Sequence, residues 1–430
     1  MKRLRIGISL MMVFVLIALA ACGQNVAPAD PQPGATVTPT PGATANGSGE
    51  QAPDGWVRVD SFLIAAVNHV TGPTALSGEL RRMGYDLAKN QINAAGGING
   101  LPIQIVYEDD QGTNQGAVVA TQRVLSELDA YALMIDRSPM VHAIHPIIEE
   151  IGIPTLFGAS AASISDLENP WFFRLRVSDA GNAEIMATFL VENMNKTRIA
   201  SLFAADAFGE GGNAETQRAL QERFDVVPVV EQSYTTGTND FTAQLLAISA
   251  ADADVIFAWG TNSEDNAIIL RQFRQLGLDQ TMDFIGSAAY ASAVTIELAG
   301  DNINGVYAVN DFAPQDTRAE FQHWLTSFRE TYDAEPDFWS LSTFDGIMLV
   351  ADAARRAGMV QQVGNYFYMP DLETGRAMLA QALRETVDFP GAAGPYTADR
   401  FQNMLHNSSV VRVEDGALNL VDVVSLDIER

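Results

Sequence analysis

Residues 62–111 read FLIAAVNHVTGP, then TALSGELRRMGYDLAKNQINAAGG, then INGLPIQIVYEDDQ. The first piece opens with an unbroken apolar run, Phe62 to Val67, the pattern of a strand buried on both faces. The second puts Leu76, Leu80, Met83, Leu87 and Ala88 at helical spacing with charges between them. Gly96 and Gly97 end that helix, since glycine takes the left-handed conformation at a helix C-terminus without a steric penalty. The third piece, Ile103 to Tyr107, is apolar and β-branched again, a second strand. Strand, helix and strand in about fifty residues make one βαβ crossover, which predicts a parallel sheet. The loop His69–Val70–Thr71–Gly72–Pro73 leaves the carboxyl end of the first strand, the edge at which open α/β sheets bind ligands.

The same alternation continues downstream. Helices are predicted over 114–128 and 140–151, and strands over 130–135, 154–157 and 172–177. A second series begins after Ser178. Its strands are predicted at 198–204, 226–231, 255–259 and 284–286, with helices at 183–195, 211–224, 241–250 and 266–276; after Gly305 the alternation loosens, with a strand at 306–309. Two βα series of about 120 residues each imply two doubly wound lobes. Three further helices follow, over 318–332, 342–357 and 376–385. A hairpin around Asp415–Gly416 closes the chain. No short tandem repeat points to a solenoid.

The chain has 430 residues, 47% of them hydrophobic, and a formal net charge of −27. That length builds more than one domain and a sizeable core. The acidic balance argues against a nucleic-acid partner, which needs clustered Lys and Arg, and fits a solvated, soluble surface. The single cysteine rules out an intrachain disulfide. That cysteine is Cys22. Before it stand Lys2, Arg3 and Arg5, then an apolar core from Ile6 to Leu19, too short for a stable membrane span. This is the plan of a secretory signal over residues 1–21. Leu19–Ala20–Ala21–Cys22–Gly23 resembles the lipobox of bacterial lipoproteins, and the resemblance implies cleavage before Cys22 and lipid attachment to it. Losing residues 1–21 removes three positive charges and no negative one, taking −27 to −30. Two acyl chains would anchor the protein stably. Residues 22–56 are mostly Pro, Gly, Ala, Thr, Ser and Asn, the composition of a disordered tether.

From about residue 57 onward the chain resembles the periplasmic binding proteins of fold type I, and most of all the leucine/isoleucine/valine-binding proteins of ABC importers. The likeness is carried by Thr71–Gly72–Pro73, by Asn93–Ala94–Ala95–Gly96–Gly97–Ile98–Asn99–Gly100 and by Glu108–Asp109–Asp110. Gly152–Ile153–Pro154, Phe173–Arg174, Phe208–Gly209–Glu210–Gly211 and Gly394–Pro395 continue it in the same order. It implies two Rossmann-like lobes, residues 57–177 with 311–406 and residues 178–310 with 407–430. Hinge crossings would fall near Val177–Ser178, Asn310–Asp311 and His406–Asn407. A small solute, an amino acid or a related carboxylate or amide, would be trapped as the lobes close and passed to membrane permease subunits. A monomer is expected, extracytoplasmic and held at the membrane by its lipid, with no cofactor and no metal. A sensor lipoprotein of the same fold, working without a transporter, is the alternative.

By the same likeness Ser138, after the third strand, would hold a ligand carboxylate. Its hydroxyl and the free N–H groups of the next helix suit an anion, and the same hydroxyl is placed to cap that helix, with Pro139 at its first position. Arg137 beside it offers a second carboxylate clamp; the alternative is an arginine facing solvent. Ala159, Ser160 and Ala161 match the small-residue loop that touches both charges of an amino acid. Thr71 and Ser77 in the first lobe, and Phe208, Thr261, Ala288 and Tyr290 in the second, complete the candidate site. The loop Ser287–Ala288–Ala289–Tyr290 carries no acid where the family places the partner of an α-ammonium. Another acid, such as Asp206, would have to substitute; otherwise the ligand is not a free amino acid. His142 and His145 are read as packing or surface residues rather than metal ligands. No G-x-S-x-G elbow or phosphate loop appears, and no nucleophile or acid–base pair argues for an enzyme. Of the tryptophans, Trp259, at a strand's carboxyl end, has the best claim to the cleft.

Overall fold

The computed structural model describes residues 52–405 and 408–424. Cys22, the signal segment, nearly all of the tether and the third crossing at His406–Asn407 lie outside them. Trp56, which composition groups with the tether, begins a short strand, Trp56–Val59, paired with Tyr366–Pro370.

The opening βαβ unit forms as the pattern requires. Strand β1 (Phe62–Asn68) lies in parallel register beside β2 (Ile103–Asp109) across the helix Ala75–Ala94. Strands β3 (Ala132–Ile135), β4 (Thr155–Phe157) and β5 (Phe172–Arg174) extend the same sheet, all parallel, in the order β2-β1-β3-β4-β5. The last strand stops short of the predicted 172–177. The second sheet holds β6 (Ile199–Ala204), β7 (Val230–Tyr234), β8 (Val255–Trp259), β9 (Asp283–Gly286) and β10 (Tyr307–Asn310). The antiparallel hairpin β11 (Ser408–Glu414) and β12 (Ala417–Val424) is added at the β10 edge. Its order is β12-β11-β10-β9-β8-β6-β7. The parallel part therefore repeats the connectivity of the first sheet, second strand outermost and then first, third, fourth and fifth. Each sheet accordingly has a switch point beside its first strand, where ligands bind in doubly wound folds.

The helices Ala319–Tyr332, Phe338–Arg356 and Leu372–Arg384 lie between β10 and β11 in the chain yet pack with the first lobe. Tyr332 Oη donates to the Met83 carbonyl at 2.9 Å, and both Nε and Nη2 of Arg376 donate to the Ala130 carbonyl. The helix Ala75–Ala94 approaches Phe338–Arg356 so closely at Gly84 that a β-carbon there would sit 2.2 Å from the Ser340 carbonyl oxygen. Thr343 Oγ1 fixes the contact by donating to the Arg81 carbonyl at 3.0 Å. This puts the start of Phe338–Arg356, capped by Asp337 through a capping box, beside the carboxyl ends of the first sheet. Among the described residues no helix is long and apolar enough to cross a membrane.

Candidate functional site

The carboxyl ends of β3 and β4 face those of β6, β8 and β9 across a cleft. From the first lobe Arg137, Ser138, Ala159 and Ser160 line it, and from the second Phe208, Thr261, Ala288 and Ala289. Arg176, from the chain leaving β5, and Phe338 and Trp339 close one side. The space among these side chains, with the solvent at its mouth, is about 310 Å³. The lobes are closed on one another. A larger hollow of about 600 Å³ beside Asn169 and Arg400 draws no residue from the second sheet.

Ser138 begins the helix Ser138–Ile151 but does not cap it: Arg137 holds the cap position, no side chain bonds the free N–H groups, and Pro139 is the second helical residue. The Ser138 hydroxyl instead accepts from the Ala161 N–H at 3.2 Å, joining the loops after β3 and β4. Arg137 does not face solvent; it is only 5% exposed. Its backbone, at φ 65° and ψ 126°, lies outside the regions a residue with a β-carbon prefers, a strain that surrounding structure must hold in place. Its Nη1 donates to Asn262 Oδ1 of the second lobe at 2.8 Å, while its buried Nε has no partner and no carboxylate forms an ion pair with it among the described residues. Burial, reinforced by the charge of Arg81, lowers its pKa to about 10, so it stays cationic near neutral pH.

The other guanidinium groups are differently supplied. Arg81, 1% exposed, pairs through Nε with Asp136 at 3.2 Å and lies 3.9 Å above the Trp339 ring. Asp136 also accepts from the Gly158 N–H at 2.9 Å. Arg176 pairs with Asp311 and stacks 4.3 Å above Phe338. The sequence reading named neither Arg81 nor Arg176 as a site residue. Both sit among alternating polar residues that look like a solvated face; only partners distant in the chain make them buried.

Thr71 and Tyr290 fall outside the cleft. Thr71 is exposed and donates through Oγ1 to Asp109 at 2.5 Å. Tyr290 is fully buried, with its ring 5.0 Å from that of Phe284. Ala161 is buried behind Ser138, and its carbonyl accepts from Arg174 Nη2 at 2.8 Å. Ser77 instead makes a second tie between lobes, donating to Glu264 Oε1 at 2.9 Å. Asp206 caps the helix Ala207–Phe224 and accepts from Thr261 Oγ1 at 2.7 and 2.8 Å, one layer behind the wall. Trp259 is a core residue, donating to Thr216 Oγ1 at 2.9 Å, whereas Trp339 lines the cleft. His142 faces Ser163 at 3.0 Å and His145 faces Asn169 at 3.0 Å.

Asp179 lies against Ser160, whose carbonyl accepts the Asp179 N–H at 2.7 Å. Burial pushes its pKa up to about 7, against the pull of the Ser160 hydroxyl and of Arg176 and Arg174. The folded chain thus keeps a proton that the unfolded chain gives up near pH 4. Stability from this group falls as pH rises through that window and returns on acidification. Between pH 7 and 5 the gain is on the order of 1–2 kcal/mol. His69, lowered by burial, acts in the opposite sense below its ordinary pKa. Denaturant titrations of the wild type and of Asp179→Asn across this range isolate the aspartate: the variant should lose that part of the slope, and identical profiles would refute it.

The family described as periplasmic binding protein matches residues 62–417. A leucine-, isoleucine-, valine-, threonine- and alanine-binding protein of Pseudomonas aeruginosa is 26% identical over 301 residues, 70% of this chain and 79% of its own. The branched-chain amino acid transporter substrate-binding protein of Streptococcus pneumoniae, solved with isoleucine, superposes with a TM-score of 0.74 at 21% identity, covering 85% of this chain and 99% of that one. An ABC transporter solute-binding protein of R. palustris, solved with benzoate, gives 0.75 at 18% identity, covering 84% and 96%.

Proposed function

The chain belongs to the periplasmic binding protein family, and on that premise we propose that it captures a small carboxylate-bearing solute, an amino acid or a related acid or amide, between its lobes and delivers it to the permease of an ABC importer. The observation that carries this reading is Arg137, a buried cation without an ion-pair partner at the mouth of two facing sheets. Ser138, Ser160 and Thr261 supply hydroxyls beside it, and Phe208, Phe338 and Trp339 supply apolar wall. The relatives' names, which include binding proteins for branched-chain amino acids and one solved with benzoate, favour transport over free-standing sensing. The protein works outside the cytoplasm as a monomer, and no catalytic step is assigned to it.

A thermal-shift screen of the mature protein against amino acids, carboxylates and amides tests the reading. A solute at a hundred times its Kd adds about 2.7 kcal/mol of stability. A screen in which nothing stabilises the protein would reject it. The anchor is tested separately. Cys22→Ala should leave folding unchanged and move the protein from the membrane to the soluble fraction; equal membrane partitioning of variant and wild type would remove the lipid from the account.

A further inference from the structure

The charge of the cleft narrows the solute class further. Only two charged side chains line the space, Arg137 and Arg176, and among the described lining residues there is no carboxylate. Arg176 is neutralised by Asp311. Among the described residues no opposite charge is in contact with Arg137.

The acids that stand behind the walls are engaged elsewhere. Asp136 holds Arg81 and the Gly158 N–H. Asp206 holds Thr261 and the helix N-terminus. Glu264 accepts from Ser77 through Oε1; its Oε2 is buried without a partner among the described residues and does not line the space. Asp179 is held toward its neutral form by burial. A solute ammonium in this space would meet two guanidinium groups and no carboxylate among the described lining residues, and burying a charge so is costly. A carboxylate would find the Nε of Arg137, which is buried and has no partner. The remainder of such a solute would lie against Phe208, Phe338 and Trp339.

We propose that the solute is an apolar monocarboxylate that carries no α-ammonium group, held by Arg137 through its carboxylate and by the aromatic wall through its body. This rests on the solute-binding reading above and specifies the chemistry of that same site.

The test compares molecules that differ only in the ammonium: hydrocinnamate against phenylalanine, and isocaproate against leucine. Binding is read by calorimetry on the mature full-length protein. In at least one pair the deaminated acid should bind about a hundredfold tighter than its amino acid. Amino acids that bind as tightly as their deaminated partners, or tighter, would overturn the assignment and leave the solute-binding reading standing. If neither pair binds but another amino acid does in the wider screen, the assignment falls in the same way. If no carboxylate, amino acid or amide binds at all, the solute-binding reading falls and this inference with it.

Discussion

Arg137→Met is expected to weaken binding of the carboxylate solute by about 2–5 kcal/mol, roughly 30- to 4000-fold in Kd, without destabilising the fold. The two halves of that expectation have separate causes. In the proposed complex the guanidinium would face a carboxylate in a dry cleft, and removing one partner of such a pair strands the other. Within the chain the same guanidinium is 5% exposed with no ion pair among the described residues, a costly arrangement that an uncharged methionine relieves. One hydrogen bond to Asn262 is lost in exchange, worth about 1 kcal/mol. Calorimetry and denaturant titration on one preparation check both. Unchanged affinity would dismiss Arg137 as the carboxylate clamp, and a large fall in stability would mean that it is a structural residue.

The largest effect on stability is expected at Asp345→Ala. Asp345 is fully buried in the helix Phe338–Arg356. Its carboxylate accepts from the N–H groups of Ala392 and Ala393, each at 2.8 Å, and from Tyr396 Oη at 3.0 Å. These bonds hold the turn that leads back toward the second sheet. Arg318 reaches the same turn by donating to the carbonyls of Ala392 and Ala393 at 2.9 Å. Removing the carboxylate takes an acceptor from two buried N–H groups and from the Tyr396 hydroxyl, a loss on the order of 4 kcal/mol. Asp345→Asn, which keeps the size and one acceptor, should lose about half as much. A lower denaturant midpoint at unchanged slope is the expected signature; a shift no larger than that of a surface substitution would show that the turn supports itself.

Much of the fold was readable in the sequence because burial on both sides leaves a plain signal. Val255–Trp259 was predicted residue for residue, and all five of its residues are buried. Where burial is one-sided, the reading slipped. The second strand of the second lobe was placed at 226–231 on the apolar run around Pro228, whereas the strand is Val230–Tyr234, at the sheet edge with alternate residues exposed. Proline has no N–H for a ladder, so pairing starts beyond it. Helix starts were set too late at Ala207 and Phe338, where Asp206 and Asp337 supply the caps. In the site, Arg137, Ser138, Ala159, Ser160, Phe208, Thr261 and Ala288 share one space, since each follows a strand whose end could be located. Arg176 lies in the link after β5 and Arg81, Phe338 and Trp339 in helices, and their meeting depends on packing between elements far apart in the chain. No local pattern records it.

The two ties across the cleft, Arg137 to Asn262 and Ser77 to Glu264, have a consequence in time as well as in affinity. Both join residues of the two lobes directly, so each favours the closed arrangement and raises the fraction of protein in the binding-competent form. Apparent Kd falls in proportion as that fraction rises. The same bonds must break before the lobes part, and tighter latching therefore lengthens residence. An Asn262→Ala protein would hold its cargo less firmly and surrender it sooner. A carrier that has to unload at a membrane is tuned by how weakly it can afford to stay shut.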